Sequence, residues 1–170
     1  MHEIIYADEA LVVANKPADM LSVPGRGEDK QDCLWRRVQA DFPTARIVHR
    51  LDYATSGIIV LALTLESQRN ISKSFQERLT NKRYQAIIGG EPNDKEGSIE
   101  LPLRCDWENR PLQIVDFEQG KNALTHWKVI SSEELGTRVE LDRLLLHAEF
   151  LAFPHPDTGE EISFNCPTPF

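Results

Sequence analysis

The sequence predicts an α+β domain, a mixed and largely antiparallel β-sheet with flanking helices. Three observations carry this. Short β-branched runs bounded by Gly, Pro and Asp recur along the chain. Between them lie two segments whose apolar residues keep helical spacing. One further run, Ile58 to Leu63, is apolar throughout and led in by Gly57, the pattern of a strand buried on both faces. With 170 residues the chain suits a single domain, 1–170, with a real hydrophobic core.

The elements follow in order. Ile4-Ile5-Tyr6 and Leu11 to Ala14 read as two short strands around a turn at Ala7-Asp8-Glu9. They lead into Asn15-Lys16-Pro17, where proline ends the pairing. Met20 to Gly27 is a loop, and its Gly-x-Gly lacks the Lys-Ser/Thr of a phosphate-binding loop. Cys33 to Phe42 is a helix with Leu34, Val38 and Phe42 on one face, Asp32 as its cap, Pro43 as its stop and Trp35 packed beside the stripe. A second helix runs from Leu65 to Leu79 behind a Thr64 cap, with Ile71, Phe75 and Leu79 inward.

Tyr84 to Ile88 reads as a strand, followed by a loop from Gly89 to Gly97. Further strands are expected at Leu112 to Phe117, at Ala123 to Ile130, and at Glu161 to Cys166 after the Asp157-Thr158-Gly159 turn. From Thr137 to Phe153 the chain has neither Gly nor Pro and is too long for one ordinary strand. Leu141, Leu144, Leu145, Ala148 and Leu151 there fit the spacing of a helix.

Composition excludes several classes. With 27% charged and 41% hydrophobic residues the chain is neither disordered nor a membrane protein, and its start lacks a signal-peptide pattern, so a cytoplasmic location is expected. Three dispersed cysteines indicate neither a disulfide framework nor a zinc site, and the five histidines have no metal-ligand spacing. A net charge of −8 speaks against a generic polyanion binder. Locally that charge reverses. Arg69, Lys73, Arg78, Lys82 and Arg83 surround a single acid, Glu77, a stripe that suits either RNA or a solvated helix face.

Chemistry concentrates in His49-Arg50-Leu51-Asp52-Tyr53-Ala54-Thr55-Ser56-Gly57, set hard against the buried strand. Ionisable groups at the edge of a core are candidates for function. The bland alternative is that Arg50 and Asp52 neutralise each other at a strand end.

His-Arg-Leu-Asp-x-x-Thr-Ser-Gly before an apolar run resembles the signature of the RluA-type pseudouridine synthases. Three more blocks follow that family's order: Val13-Ala14-Asn15-Lys16-Pro17 with Leu21, Lys82-Arg83-Tyr84-Gln85-Ala86 with Gly89, and Leu144 to Ala148 with His155-Pro156. Leu21 to Arg26 and Cys105 to Pro111 are similar to the branch that modifies both large-subunit ribosomal RNA and transfer RNA. The lack of residues for an N-terminal RNA-binding accessory domain fits that branch.

One family motif is missing, a Gly-Arg-x-His-Gln-x-Arg-x-His segment followed by Gly-Asp, and its place is about Leu141 to Arg143. Either native residues are absent from this sequence there, which would make the apparent helix an artefact of joined flanks, or the segment is truly deleted.

The resemblance implies the isomerisation of specific uridines in structured RNA, with Asp52 as the catalytic carboxylate and Tyr84 lying against the uracil. Strand periodicity alone would make Tyr84 a core residue. By resemblance Arg50 enters the RNA stack, His49 and Thr55 line the same opening, Leu145 or Leu146 forms an apolar wall, and the arginine beside Asp52 belongs to the missing motif. For His49 a structural role and for the leucines core packing explain the residues equally well. No metal, nucleotide or organic cofactor is called for, the partner is RNA, and a monomer is expected. The competing classes are a non-catalytic RNA-binding relative and a hydrolase with an aspartate nucleophile.

Overall fold

A computed structural model describes residues 3–90, 92–110, 112–130 and 146–170. It divides into two compact units, Met1–Ile87 with Leu141–Phe170, and Ile88–Glu140.

The larger unit is built on a seven-stranded mixed sheet of order β1-β2-β4-β9-β10, with β3 added beside β4 and β5 beside β9. Strands β1 (Glu3–Ala7) and β2 (Leu11–Lys16) form a hairpin, and β2 runs antiparallel to β4 (Ser56–Ala62) over its whole length. All seven residues of β4 are buried, as its unbroken apolar sequence predicts. Its far edge is shared, because β3 (Arg46–Ile47) pairs with Leu61 and Ala62 while β9 (Leu146–Pro154) runs parallel to its first residues. Strand β9 in turn carries β5 (Asn81–Ala86) on one edge and β10 (Glu161–Asn165) on the other.

Alternation along β4 divides the core in two. Ile58, Val60 and Ala62 pack with Leu11, Val13, Leu151 and Phe153 beneath Ile71 of helix α2 (Leu65–Gln76). Ile59 and Leu61 join Val12 and Ala14 beneath Leu34 and Val38 of helix α1 (Leu34–Asp41). One helix thus covers each face of the sheet.

Several local expectations are corrected. Cys33, not Asp32, stands at the N-cap of α1 and makes no side-chain cap bond, because Asp32 is drawn into a two-pronged pair with Arg37 at 2.8 and 2.5 Å. Helix α2 starts behind Thr64, whose hydroxyl accepts from the Ser67 amide at 3.0 Å, but it ends at Gln76. Arg78 takes a left-handed φ of 59°, and the Arg78 and Leu79 amides turn back to the Phe75 and Ser74 carbonyls, a C-terminal closure that leaves Leu79 exposed.

The helix expected across Thr137 to Phe153 is also corrected: residues from Leu146 on are strand β9, and 131–145 lie outside the described residues. Of the expected stripe only Ala148 and Leu151 fall in β9, and two apolar positions in a strand buried on both faces carry no helical period. Strand β5 begins three residues before Tyr84 and stops at Ala86.

The smaller unit is a three-stranded antiparallel sheet of order β7-β6-β8, formed by β6 (Glu96–Cys105), β7 (Gln113–Val115) and β8 (Lys121–Lys128). Strand β6 was not anticipated, because charged and glycine residues open it and Pro102 interrupts it. The β6–β7 turn is braced by Asp106, which accepts from the Glu108 and Asn109 amides, while Arg110 stacks 3.6 Å from the Trp107 ring centre.

Candidate active site

Asp52 lies in the turn that carries the chain from β3 into β4, and it is exposed. Both of its sequence neighbours are tied down. On one side the Ser22 hydroxyl donates to the Leu51 carbonyl at 2.7 Å and accepts from the Leu51 amide at 3.0 Å. On the other, the Lys16 ammonium donates to the Tyr53 carbonyl at 3.1 Å. The Thr55 amide closes the turn onto the Asp52 carbonyl at 3.2 Å. A carboxylate is thereby presented to solvent on a backbone that has little freedom.

Lys16 is fully buried, the largest such side chain described. Its other two hydrogen bonds go to the Pro17 and Met20 carbonyls at 2.9 and 2.7 Å, which satisfies all three ammonium donors. Burial lowers its pKa to about 8, opposed by the negative charges of Asp19 and Asp52. The sequence hint was available, since Lys16 continues the inward-facing positions of Val12 and Ala14.

Tyr84 reaches the same place through the sheet. Gly57 of β4 pairs with Ala148 of β9, and Ala148 pairs on its other edge with Tyr84 of β5. Two strand spacings put Gly57 and Tyr84 roughly 10 Å apart. A register shift between Arg83 and Tyr84 re-aims the ring, which remains 43% exposed. Desolvation and then the charge of Asp52 raise its pKa, so the hydroxyl keeps its proton at neutral pH. Tyr84 is therefore not a core tyrosine.

Gly57 is required where the strands meet. Its φ is +109°, and a Cβ there would stand 2.3 Å from the Ala148 carbonyl oxygen. Beside it the Ser56 hydroxyl meets His147 Nδ1 at 2.9 Å, and His147 Nε2 donates to the Cys166 carbonyl at 3.0 Å. These buried bonds fasten β4, β9 and the chain end together. A cavity of about 330 Å³ lies here, lined by Lys16, Ser56, His147, Pro17 and Pro167 among others.

The other expected site residues divide. Arg50 is exposed and forms no ion pair with Asp52. Thr55, expected to meet RNA, is buried at 2% exposure, because the turn directs it inward ahead of the buried strand. His49 is used inside the fold: Nε2 accepts from the Val60 amide at 3.0 Å, and the ring stacks on Phe75 at 4.6 Å. Burial, reinforced by Lys82, lowers its pKa to about 4 and keeps it neutral. Leu145 lies outside the described residues, whereas Leu146 opens β9 and is half-buried.

The basic stripe is partly consumed. Lys73 pairs with Glu77 at 3.8 Å, and Arg83 with Glu149 at 3.3 Å while lying over Phe150. Among the described residues no group of three or more His, Cys, Asp or Glu could hold a metal ion.

Asp52 and Tyr84 are both exposed, and the charge of Asp52 acts on the Tyr84 hydroxyl, which keeps its proton; comparison with known proteins gives the chain its class. The model of the RNA pseudouridylate synthase family matches residues 10–149, and the chain belongs to that family. Its activity is the isomerisation of uridine to pseudouridine in RNA. The chain is 40% identical over 204 residues to the dual-specificity RNA pseudouridine synthase RluA of Yersinia pestis, covering 98% of this chain and 99% of the relative. To the RluA protein of Escherichia coli K12 it is 39% identical, with 98% and 93% covered. Human RNA pseudouridylate synthase domain containing 1 shares the fold at a TM-score of 0.77 and 23% identity, covering all of this chain and 84% of the human one. The aligned span of 204 residues exceeds the 170 of this chain, so the Yersinia relative carries residues with no counterpart here.

Proposed function

We propose that this enzyme acts on both ribosomal and transfer RNA, with Asp52 as the carboxylate that works at ribose C1′ and Tyr84 as the residue against the uracil. Support for the substrate comes from relatives named as dual-specificity enzymes at about 40% identity over nearly the whole chain. One observation carries the site: the Gly57–Ala148–Tyr84 row sets a protonated phenol within reach of the charge of Asp52, whose flanking residues are both clamped.

In the reaction the N1–C1′ bond breaks, the uracil turns, C5 bonds to C1′ and loses its proton, and N1 takes one up, so the product is an isomer of uridine. Asp52 serves either by bonding to C1′ as N1 departs, to be displaced later by C5, or by taking a ribose proton in an elimination. Tyr84 stacks on the flipped base and, being a phenol and not a phenolate, works through its hydroxyl hydrogen bond. Arg50, exposed beside Asp52, meets the RNA where the base leaves the stack. His49 shapes the segment from behind.

In this reading the family motif missing at about 141–143 either consists of native residues absent from this sequence or is truly deleted, and the protein functions as a cytoplasmic monomer. The intact mass of the purified protein separates those two, and light scattering on the eluting protein checks the oligomeric state. The activity is tested with ribosomal and transfer RNA transcripts labelled with tritium at uridine C5. Tritium release with retention of the base in the chain is expected from both substrates. Release of free uracil would indicate a hydrolase, and RNA binding without release a non-catalytic relative.

A further inference from the structure

We propose that Trp107 and Phe117, held out on the two braced turns of the smaller unit, are base-stacking contacts for unpaired nucleotides of the substrate RNA. The inference rests on RNA being the substrate and is independent of the roles of Asp52 and Tyr84.

The two turns are built alike. Each opens on Asp-aromatic-Glu, at Asp106-Trp107-Glu108 between β6 and β7 and at Asp116-Phe117-Glu118 between β7 and β8. In the first, Asp106 Oδ1 accepts from the Glu108 and Asn109 amides at 3.2 and 3.4 Å, and Oδ2 from the Asn109 side chain at 2.9 Å. In the second, Asp116 Oδ1 accepts from the Glu118 and Gln119 amides, both at 2.9 Å, and Oδ2 from the Arg104 guanidinium. These bonds hold both carboxyls below the usual carboxylate range, so the braces persist at neutral pH. Each aspartate is spent on its own turn, and the aromatic after it is left in solvent.

Trp107 is 65% exposed and Phe117 81%, at positions where turns ordinarily carry small or polar residues. The other two tryptophans are packed into the fold. Trp35 donates to the Ala45 carbonyl at 2.8 Å, and Trp127 lies over Gly97, where a Cβ would stand 2.8 Å from its ring. Among the described residues the ring partner of Trp107 is Arg110, whose guanidinium lies 3.6 Å from the ring centre. A planar cation on an aromatic face is a pairing that suits the stacking of unpaired bases.

Charge decides which part of the RNA is met. Glu108 and Glu118 are exposed beside the rings and repel phosphate, and Arg104 is engaged by Asp116. Bases therefore suit these turns better than the backbone does. Leu112 and Asp116 bracket β7 and stand roughly 13 Å apart by strand rise, which lets one RNA loop touch both turns.

The test is retention of labelled transfer RNA transcript by the full chain, measured over a range of salt concentrations. Trp107→Ala should weaken binding about tenfold and Phe117→Ala about threefold. Each factor should be the same at every salt concentration, since a stacked ring releases no counterions. Trp107→Phe keeps an aromatic face and should stay within about twofold of wild type. A fully paired RNA duplex offers no free base face, so its retention should be equal for wild type and variants. KM for tritium release should rise by the same factors as binding weakens.

Wild-type affinity in either alanine variant, a loss that Trp107→Phe does not restore, or an equal loss on the duplex overturns the proposal. Should the variants fail to fold, acrylamide quenching of the wild-type protein decides, because Trp107 is the exposed tryptophan. Saturating transfer RNA transcript should shield its emission, and unchanged quenching overturns the proposal. An Asp52→Asn protein that stays active would defeat the catalytic assignment and leave this contact standing, so the two failures are distinguishable.

Discussion

Gly57 and Tyr84 are the two cross-strand neighbours of Ala148, one on each edge of β9. The relationship is possible because β9 lies parallel to β4 and antiparallel to β5, so that the start of one strand and the middle of the other come to one row. It brings a residue just after the Asp52 turn level with the tyrosine. Ala148 is small and buried, and Gly57 has no side chain, so the three backbones approach closely.

Gly57→Ala tests the row. The new methyl would meet the Ala148 carbonyl at 2.3 Å in a backbone conformation with φ of +109°. A left-handed non-glycine residue alone costs about 1–3 kcal/mol, and the clash adds to it. Denaturant unfolding should show a lower midpoint by at least that much, with activity lost.

Tyr84→Phe should separate stacking from the hydroxyl. The ring remains, so RNA affinity should stay within about threefold, whereas kcat should fall roughly 100-fold because the hydroxyl that assists removal of the C5 proton is gone. Single-turnover tritium release alongside filter binding reads both quantities.

Ser22→Ala removes a hydroxyl that both donates to and accepts from buried Leu51. Leaving those two backbone groups unpaired costs about 1–3 kcal/mol. The expected signature is a modest loss of unfolding free energy together with a larger loss of kcat, since the turn that carries Asp52 loses one of its clamps.

His49 gives a pH dependence whose sign is determined. Its folded pKa is about 4, below the ordinary value of 6.5, so the unfolded chain binds the extra proton first. Its contribution to stability is complete above pH 6.5 and is lost as pH falls through 4. Urea unfolding of the wild-type protein should weaken over that window, and His49→Gln should flatten that part of the curve.

Much of this was legible in the residues. The buried strand announced itself by six consecutive apolar positions, and both helices by their spacing, because local pattern decides elements whose faces differ. Strand β9 was misread for the opposite reason: its faces are both buried, so periodicity carries no signal. Strand β6, opened by Glu96 and Gly97 and interrupted by Pro102, has a poor strand sequence and is set by its antiparallel partner β8.

At the site, Asp52 and Tyr84 were marked by motif, but their proximity was not, since it depends on two registers against β9. Thr55 is buried, which the sequence does not indicate, because a turn in sequence does not say which way its last side chain points. Lys16 stands in a sequence motif and on the Val12 and Ala14 face, where a lysine signals a buried charge in need of partners.

Asp52 is proposed to perform the isomerisation. The most direct measurement is nucleoside analysis of transfer RNA and ribosomal RNA transcripts after incubation with the wild-type protein and with Asp52→Asn, at equal and verified folded concentration. Pseudouridine should form with the wild-type protein and be absent with Asp52→Asn while RNA binding persists. Pseudouridine produced by Asp52→Asn at the wild-type rate would contradict the account.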